Sequence, residues 1–234
     1  MKNGTPIQLV AIVGGSGSGK TWLADRLQAL LGDHIARLSL DDFYRDRSDV
    51  PPRHRHKINF DRPQAIDWPF VEEVLDACKA GRSARVPHYD FSSHVRAARQ
   101  SWRPRPVVLM DGLWLLSRRT VRRFFDLRIF IDCPERIRLR RRLERDVAER
   151  GRSHASVRRQ FVSTVAPMHA RHVQPQARWA DVLLKQPFRK RDVEKLADRL
   201  WSLLKPSSLW PASMRETFRA EVQALLKNHS LNHA

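Results

Sequence analysis

With 234 residues, 41% of them hydrophobic and 29% charged, the chain has the composition of an ordinary folded domain with one substantial core, which excludes a largely disordered chain despite 14 prolines. Its 44 lysines and arginines against 25 acids leave a net charge of +19, which favours nucleotides, nucleic acid or acidic membrane surfaces without choosing among them. Two cysteines, Cys78 and Cys133, with no Cys-x-x-Cys, suit a reducing compartment and argue against structural zinc; with no run of eighteen apolar residues, the sequence reads as a soluble cytoplasmic protein with no membrane partner.

Gln8 to Val13 is a short β-rich run ending in glycines, and Trp22, Leu23, Leu27, Leu30 and Leu31 then recur at helical spacing, with Gly32 placed to end that helix. Ile35 to Leu40 reads as a second strand, and Arg45 to Lys57, basic and bearing Pro51 and Pro52, as an exposed loop. Asp67 and Pro69 open a helix whose Phe70, Val71, Val74, Leu75 and Cys78 share a face before Gly81. Ala84 to Trp102 reads as a small hairpin or lid outside the main sheet. Further strands are expected at Val107 to Met110, Leu127 to Ile131 and Asp181 to Leu184, with a helix from Pro134 through Leu139, Leu143 and Val147. Strands separated by helices imply an α/β fold, an open parallel sheet of about five strands with right-handed crossovers and helices on both faces. After Lys205 a Pro-Ser-Ser-Leu-Trp-Pro linker leads to one amphipathic helix, Met214 to Leu226, so residues 1–205 are expected to form the main domain and 206–234 an appendage.

Gly14-Gly15-Ser16-Gly17-Ser18-Gly19-Lys20-Thr21 satisfies G-x-x-x-x-G-K-[ST] between a strand and a helix, the context that a P-loop requires. Such glycines let backbone N–H groups converge on phosphates, Lys20 reaches the β- and γ-phosphates, and Thr21 offers a hydroxyl to Mg²⁺; ATP and Mg²⁺ are the cofactors this implies. Asp111, closing the apolar run Val107 to Met110, is the candidate acid for the metal's water shell, or else merely the end of a strand. Asp41 and Asp42 follow the second strand, where open parallel sheets place their ligands; either could orient an attacking hydroxyl, cap a helix or pair with an arginine.

At Leu40-Asp41-Asp42-Phe43-Tyr44, at Asn59-Phe60-Asp61-Arg62-Pro63-Gln64-Ala65-Ile66-Asp67, at Pro87-His88-Tyr89-Asp90-Phe91 with His94 and Arg96, at Arg145-Asp146 with Glu149-Arg150-Gly151-Arg152, and at Pro167-Met168-His169 with Pro175, Arg178, Ala180 and Asp181, the chain resembles the uridine kinase (uridine-cytidine kinase) family. The resemblance runs from about Val10 to about Leu184. It implies a P-loop NTPase, nucleoside monophosphate kinase-like, that phosphorylates the 5′-hydroxyl of a small-molecule nucleoside substrate, uridine or cytidine. Residue by residue it implies that Asp41 is the catalytic carboxylate, that Asp61 holds the ribose hydroxyls, and that Tyr44, Tyr89, Phe91 and His94 contact the acceptor and its base. It also makes Arg142, Arg145, Arg150 and Arg152 the ribose-contacting and lid arginines, with the lid at about residues 145–155 and the acceptor insertion at about 84–102. A homo-oligomer is plausible by the same resemblance.

Plainer readings stand beside these: Tyr89 and Phe91 as strand core at period two, His94 as a solvated histidine, and the arginines of Arg136 to Arg152 as the wet side of a helix that buries Ile137, Leu139, Leu143 and Val147. The chain also departs from the family pattern, with Asp42 where serine is more frequent, Asp111 where glutamate is common, and Lys185-Gln186-Pro187 in place of a glycine-bearing turn. Rival acceptors are ribulose 5-phosphate, pantothenate and nicotinamide riboside. A nucleic-acid-associated ATPase is kept open by the charge alone, since no recognised nucleic-acid module is present.

Overall fold

The structure, a computed structural model, describes residues 6–55, 58–204 and 215–231. In chain order it contains β1 (Gln8–Gly14), α1 (Lys20–Leu31), β2 (Ile35–Ser39), α2 (Pro52–Arg55), α3 (Trp68–Lys79), β3 (Ala84–Asp90), β4 (Val95–Trp102), β5 (Val107–Gly112), α4 (Arg119–Arg122), β6 (Leu127–Asp132), α5 (Glu135–Ala148), α6 (His154–Gln160), α7 (Ala166–Met168), β7 (Val182–Lys185), α8 (Lys190–Leu204) and α9 (Arg215–Leu231). Five strands form a parallel sheet in the order β2-β5-β1-β6-β7, and β3 and β4 form a separate antiparallel ribbon.

β1 is buried on both sides, which is why its sequence is continuously apolar and does not alternate. Leu9, Ala11 and Val13 join one core with Phe70, Val71, Val74 and Leu75 of α3; Val10 and Ile12 join the other with Leu23, Leu27 and Leu31 of α1 and Leu196 and Leu200 of α8. Helices thus cover both faces. The expected Met214 start of the last helix and the linker before it lie outside the described residues, but Phe218 and Val222 of α9 are buried in that second core beside Trp201. Asp198 of α8 fastens α9 further, accepting from Arg219 at 2.6 Å and Arg215 at 3.3 Å.

Register determines what meets at the carboxyl edge. Ile12 of β1 and Ser39 of β2 both pair with Asp111 of β5, so the loops after these three strands open side by side. In the β3–β4 ribbon the register slips between Val86 and His88, where Pro87 has no N–H to give the ladder. Arg96 of β4 fixes the ribbon over the loop after β2: its guanidinium donates to the carbonyls of Tyr44 (2.7 Å) and Phe43 (3.2 Å) and pairs with Asp67 (3.1 Å).

The burial of α5 reverses the sequence expectation. Arg138, Arg142 and Asp146, at i, i+4 spacing, are its buried residues, while Ile137, Leu139, Leu143 and Val147 are only half-buried. A helix lying across a charged cleft buries its polar stripe, which hydropathy alone assigns to solvent.

Candidate active site

The phosphate loop begins as β1 ends and closes at the α1 N-terminus, where Gly17 (φ 77°) and Gly19 (φ 90°) take left-handed conformations that side chains resist. Gly17 also lies against α5: a Cβ there would come within 2.5 Å of the Arg138 carbonyl oxygen, a backbone atom that cannot step aside. Lys20 Nζ donates to the Gly15 carbonyl at 3.1 Å. Burial pushes its ammonium below the usual lysine value, opposed by the nearby charges of Asp111 and Asp41. Thr21 Oγ1 stands 3.4 Å from Asp111 Oδ2, so a hydroxyl and a carboxylate oxygen face each other at the foot of the loop. Asp111 is 5% exposed, and burial raises its pKa against the pull of Lys20. Arg37 approaches its other oxygen at 3.5 Å.

These oxygen donors suit Mg²⁺, which takes one or two protein oxygens and completes its shell with water and phosphate. The glycine cradle suits a polyphosphate. Behind it, Ser18 Oγ, Arg138 Nη1 and His169 Nδ1 are buried without a partner among the described residues. His169 Nδ1 and Arg138 Nη1 both lie within 3 Å of where a Gly15 Cβ would be, at 2.8 and 2.9 Å.

Asp41 follows β2 in a short helical turn that Ser39 caps by accepting from the Asp41 N–H at 3.3 Å. Asp41 is exposed, yet desolvation by the atoms crowded around its carboxylate raises its pKa, with Lys20 and Arg145 pulling the other way. Asp42 is turned from this group. One of its oxygens meets His88 Nδ1 at 3.1 Å and accepts the Tyr89 N–H at 3.3 Å, so it ties the ribbon to the loop.

Opposite lies an aromatic group. Tyr44 packs tilted on Tyr89 (ring centres 5.2 Å apart) and edge-on to Phe91 (5.7 Å), Phe60 (5.9 Å) and Trp114 (6.4 Å), and its hydroxyl donates to the Phe60 carbonyl. His94, at φ 56°, stacks on Phe60 at 4.4 Å. Tyr89 is buried and its phenol is pushed up to about 12 by desolvation, whereas Phe91 is 39% exposed, with the Arg150 guanidinium 5.4 Å from its ring centre. Tyr89 Oη, His94 Nδ1 and Trp114 Nε1 are buried without partners among the described residues. Asp61 shares a small cavity with Ser16, Trp114 and His169; burial raises its pKa, opposed by Arg142 and Arg152.

The arginines converge on one acid. Asp146, fully buried, receives Arg145 at 2.8 Å, Arg142 at 3.4 Å, Arg150 at 3.5 Å and Arg152 at 3.7 Å. Arg142 also donates to Ser16 Oγ of the loop (3.0 Å), and both it and Arg152 donate to Gln160 Oε1 (3.0 and 2.6 Å). Gly151, at φ 60°, makes the turn that returns Arg152 to this carboxylate.

The structure thus brings Lys20, Thr21 and Asp111 together at the phosphate loop, gathers Tyr44, Tyr89, Phe91 and His94 into one aromatic group, and joins Arg142, Arg145, Arg150 and Arg152 through Asp146, whereas Asp42 ties the ribbon to the loop after β2. Among the site's residues not given roles from sequence are Asp146, Arg138, Gln160, Trp114 and His169, and Gln186, whose side-chain N–H donates to the Ser18 carbonyl at 2.8 Å. Asp146 and His169 carried a signal as members of the motifs that resemble the family, and Gln186 as a departure from its pattern.

A family model described as phosphoribulokinase / uridine kinase matches residues 9–194. A uridine kinase from Halobacterium salinarum is 35% identical over 208 residues, covering 88% of this chain and 92% of that protein. One from Chloroflexus aurantiacus is 41% identical over 177 residues, covering 75% and 85%. The phosphoribulokinase of Rhodobacter spheroides superposes with a TM-score of 0.57 at 16% identity, over 78% of this chain and 71% of that one, a likeness of fold alone.

Proposed function

The chain belongs to the phosphoribulokinase / uridine kinase family and is a kinase, and we propose that it transfers the γ-phosphoryl group of ATP to the 5′-hydroxyl of uridine, and of cytidine, giving the nucleoside monophosphate. The observation that carries the acceptor is the aromatic group with three partnerless buried polar atoms, Tyr89 Oη, His94 Nδ1 and Trp114 Nε1, of which Trp114 shares a small cavity with Asp61. A pyrimidine offers a flat face to such rings and a polar edge to such atoms, and ribose offers adjacent hydroxyls that one carboxylate can accept.

In this reading the Gly14 to Gly19 N–H groups and Lys20 hold the donor's phosphates. Thr21 and Asp111 would hold Mg²⁺, which supplies charge neutralisation on the β- and γ-phosphate oxygens when bound. Asp41 orients the 5′-hydroxyl and takes its proton as that oxygen bonds to the γ-phosphorus; the bond from phosphorus to the bridging oxygen breaks and ADP departs with those electrons. Desolvation raises the pKa of Asp41 above the ordinary aspartate value, which makes it a better proton acceptor than an ordinary aspartate. Arg145, Arg150 and Arg152 close on the transferring group, and closure excludes water. Arg142 bridges the phosphate loop and the ribose side.

An acceptor panel with purified protein tests this. Uridine and cytidine are expected to be phosphorylated and 2′-deoxyuridine at least a hundred-fold less efficiently, because its missing hydroxyl leaves Asp61 unpaired. Activity on ribulose 5-phosphate, pantothenate or nicotinamide riboside with none on uridine rejects the proposal.

A further inference from the structure

Away from the residues described above, one cationic surface lies around Trp179, before β7 and against α4. The Arg122 guanidinium lies 3.9 Å from the centre of a Trp179 ring and that of Arg178 lies 4.9 Å away, yet 38% of Trp179 remains exposed. Arg122 has cations as its electrostatic neighbours: burial lowers its pKa first, then Arg128, Arg178 and Arg119 lower it further, with no acid opposing. Arg128 is neutralised by Asp181 at 2.7 Å. Arg119, Arg122 and Arg178 have no acidic partner among the described residues. Such a cluster repels itself, so an anionic partner would gain by neutralising it.

The indole narrows the class of partner. A membrane surface asks for several exposed apolar side chains, and among the described residues the large exposed ones are Phe91, Val162 and Trp179, of which only Trp179 is here. An acidic peptide supplies charge at many residues but a flat ring only where an aromatic residue falls. Single-stranded nucleic acid supplies both, phosphates for the guanidinium groups and bases that stack on indole and guanidinium planes. We propose that the face formed by Arg119, Arg122, Arg178 and Trp179 binds single-stranded nucleic acid.

The test is fluorescence anisotropy of the full chain with a labelled 12-nucleotide single strand whose 5′ end is phosphorylated, so that it presents no 5′-hydroxyl to the cleft. The expected binding weakens with salt with a log–log slope of about −2, three phosphates at roughly −0.7 each. Reversing two charges on this face, Arg119→Glu with Arg178→Glu, is expected to weaken binding at least ten-fold, and Trp179→Ala at least about five-fold. Arg191→Glu with Lys195→Glu on α8 makes the same charge change elsewhere and is expected to cost under about three-fold. All variants should melt with the wild type; if the double reversal does not fold, Trp179→Ala alone decides. Equal losses in the two double variants, no loss in Trp179→Ala, displacement of the strand by ATP, or displacement by polyglutamate or anionic vesicles as efficient as by unlabelled strand would each overturn the proposal.

Discussion

Changing Asp146 to asparagine keeps the side chain's shape and removes the charge that four guanidinium groups share. Of the four pairs only Arg142–Asp146 joins two buried groups, with side chains 8% and 0% exposed; Arg145, Arg150 and Arg152 retain 34%, 40% and 29%. The three exposed partners can turn to water, so each loss is worth at most about 1 kcal/mol. Stranding a buried arginine costs about 3–5 kcal/mol. Since Arg142 keeps Ser16 and Gln160 as acceptors and an asparagine carbonyl still accepts, the lower end applies. Asp146→Asn should therefore lose about 3 kcal/mol, a melting temperature roughly 6–12 °C lower at 2–4 °C per kcal/mol. Under the proposed function, losing the common anchor of Arg145, Arg150 and Arg152 should also lower kcat about 10²-fold, the size of one misplaced charge-stabilising donor. Urea unfolding measures the first, and steady-state kinetics well below both melting temperatures the second. A variant within about 1 kcal/mol of wild type with kcat within three-fold would refute the reasoning.

Asp41→Asn should lower kcat by about 10²–10⁴ with little change in nucleoside KM. Under the proposed function Asp41 works as a base only when ionised, and desolvation raises its pKa, so the wild-type rate should climb with pH through a limb above the ordinary aspartate range, and the variant's pH–rate profile should lack it. In Gly17→Ala the left-handed backbone and the Arg138 carbonyl act together, so a loss of about 1–3 kcal/mol and of measurable ATP binding by calorimetry is expected. His169, whose pKa is lowered to about 4 by burial and then by Arg138, binds a proton in the unfolded chain before it does so in the folded one. Its contribution is complete above pH 6.5 and is lost as pH falls toward 4, by up to roughly 3 kcal/mol, so His169→Gln should flatten stability over that window. Titration of this ring near 6.5 by NMR would contradict that.

Strands and phosphate loop were legible because both are local. β1 is an apolar run that must stop at glycines, and the motif Gly14 to Thr21 carries its chemistry in consecutive residues. Helix α5 was legible as a helix but not in its orientation, since three of its polar residues face inward for a reason that lies in other parts of the chain. The roles of the paired acids Asp41 and Asp42 could not be divided from sequence, because the division comes from His88 and the Tyr89 N–H on a ribbon more than 40 residues away. The aromatic group was half legible: Tyr44, Tyr89, Phe91 and His94 were found by resemblance, while Trp114, after β5, joins them only through the sheet order.

Gln186 gives the last strand a stake in the phosphate loop. Its amide donates to the Ser18 carbonyl, its oxygen accepts from Arg141 at 3.0 Å, and its backbone N–H donates to the Asp132 carbonyl at 2.9 Å. Linkage is reciprocal, so whatever free energy a donor nucleotide adds to the order of β7 through this bridge, the order of β7 returns to nucleotide binding. Hydrogen exchange at Val182 to Lys185 should slow when nucleotide is added, an echo at the sheet's edge of an event at its centre; unchanged exchange there would mean that the amide bridge transmits nothing.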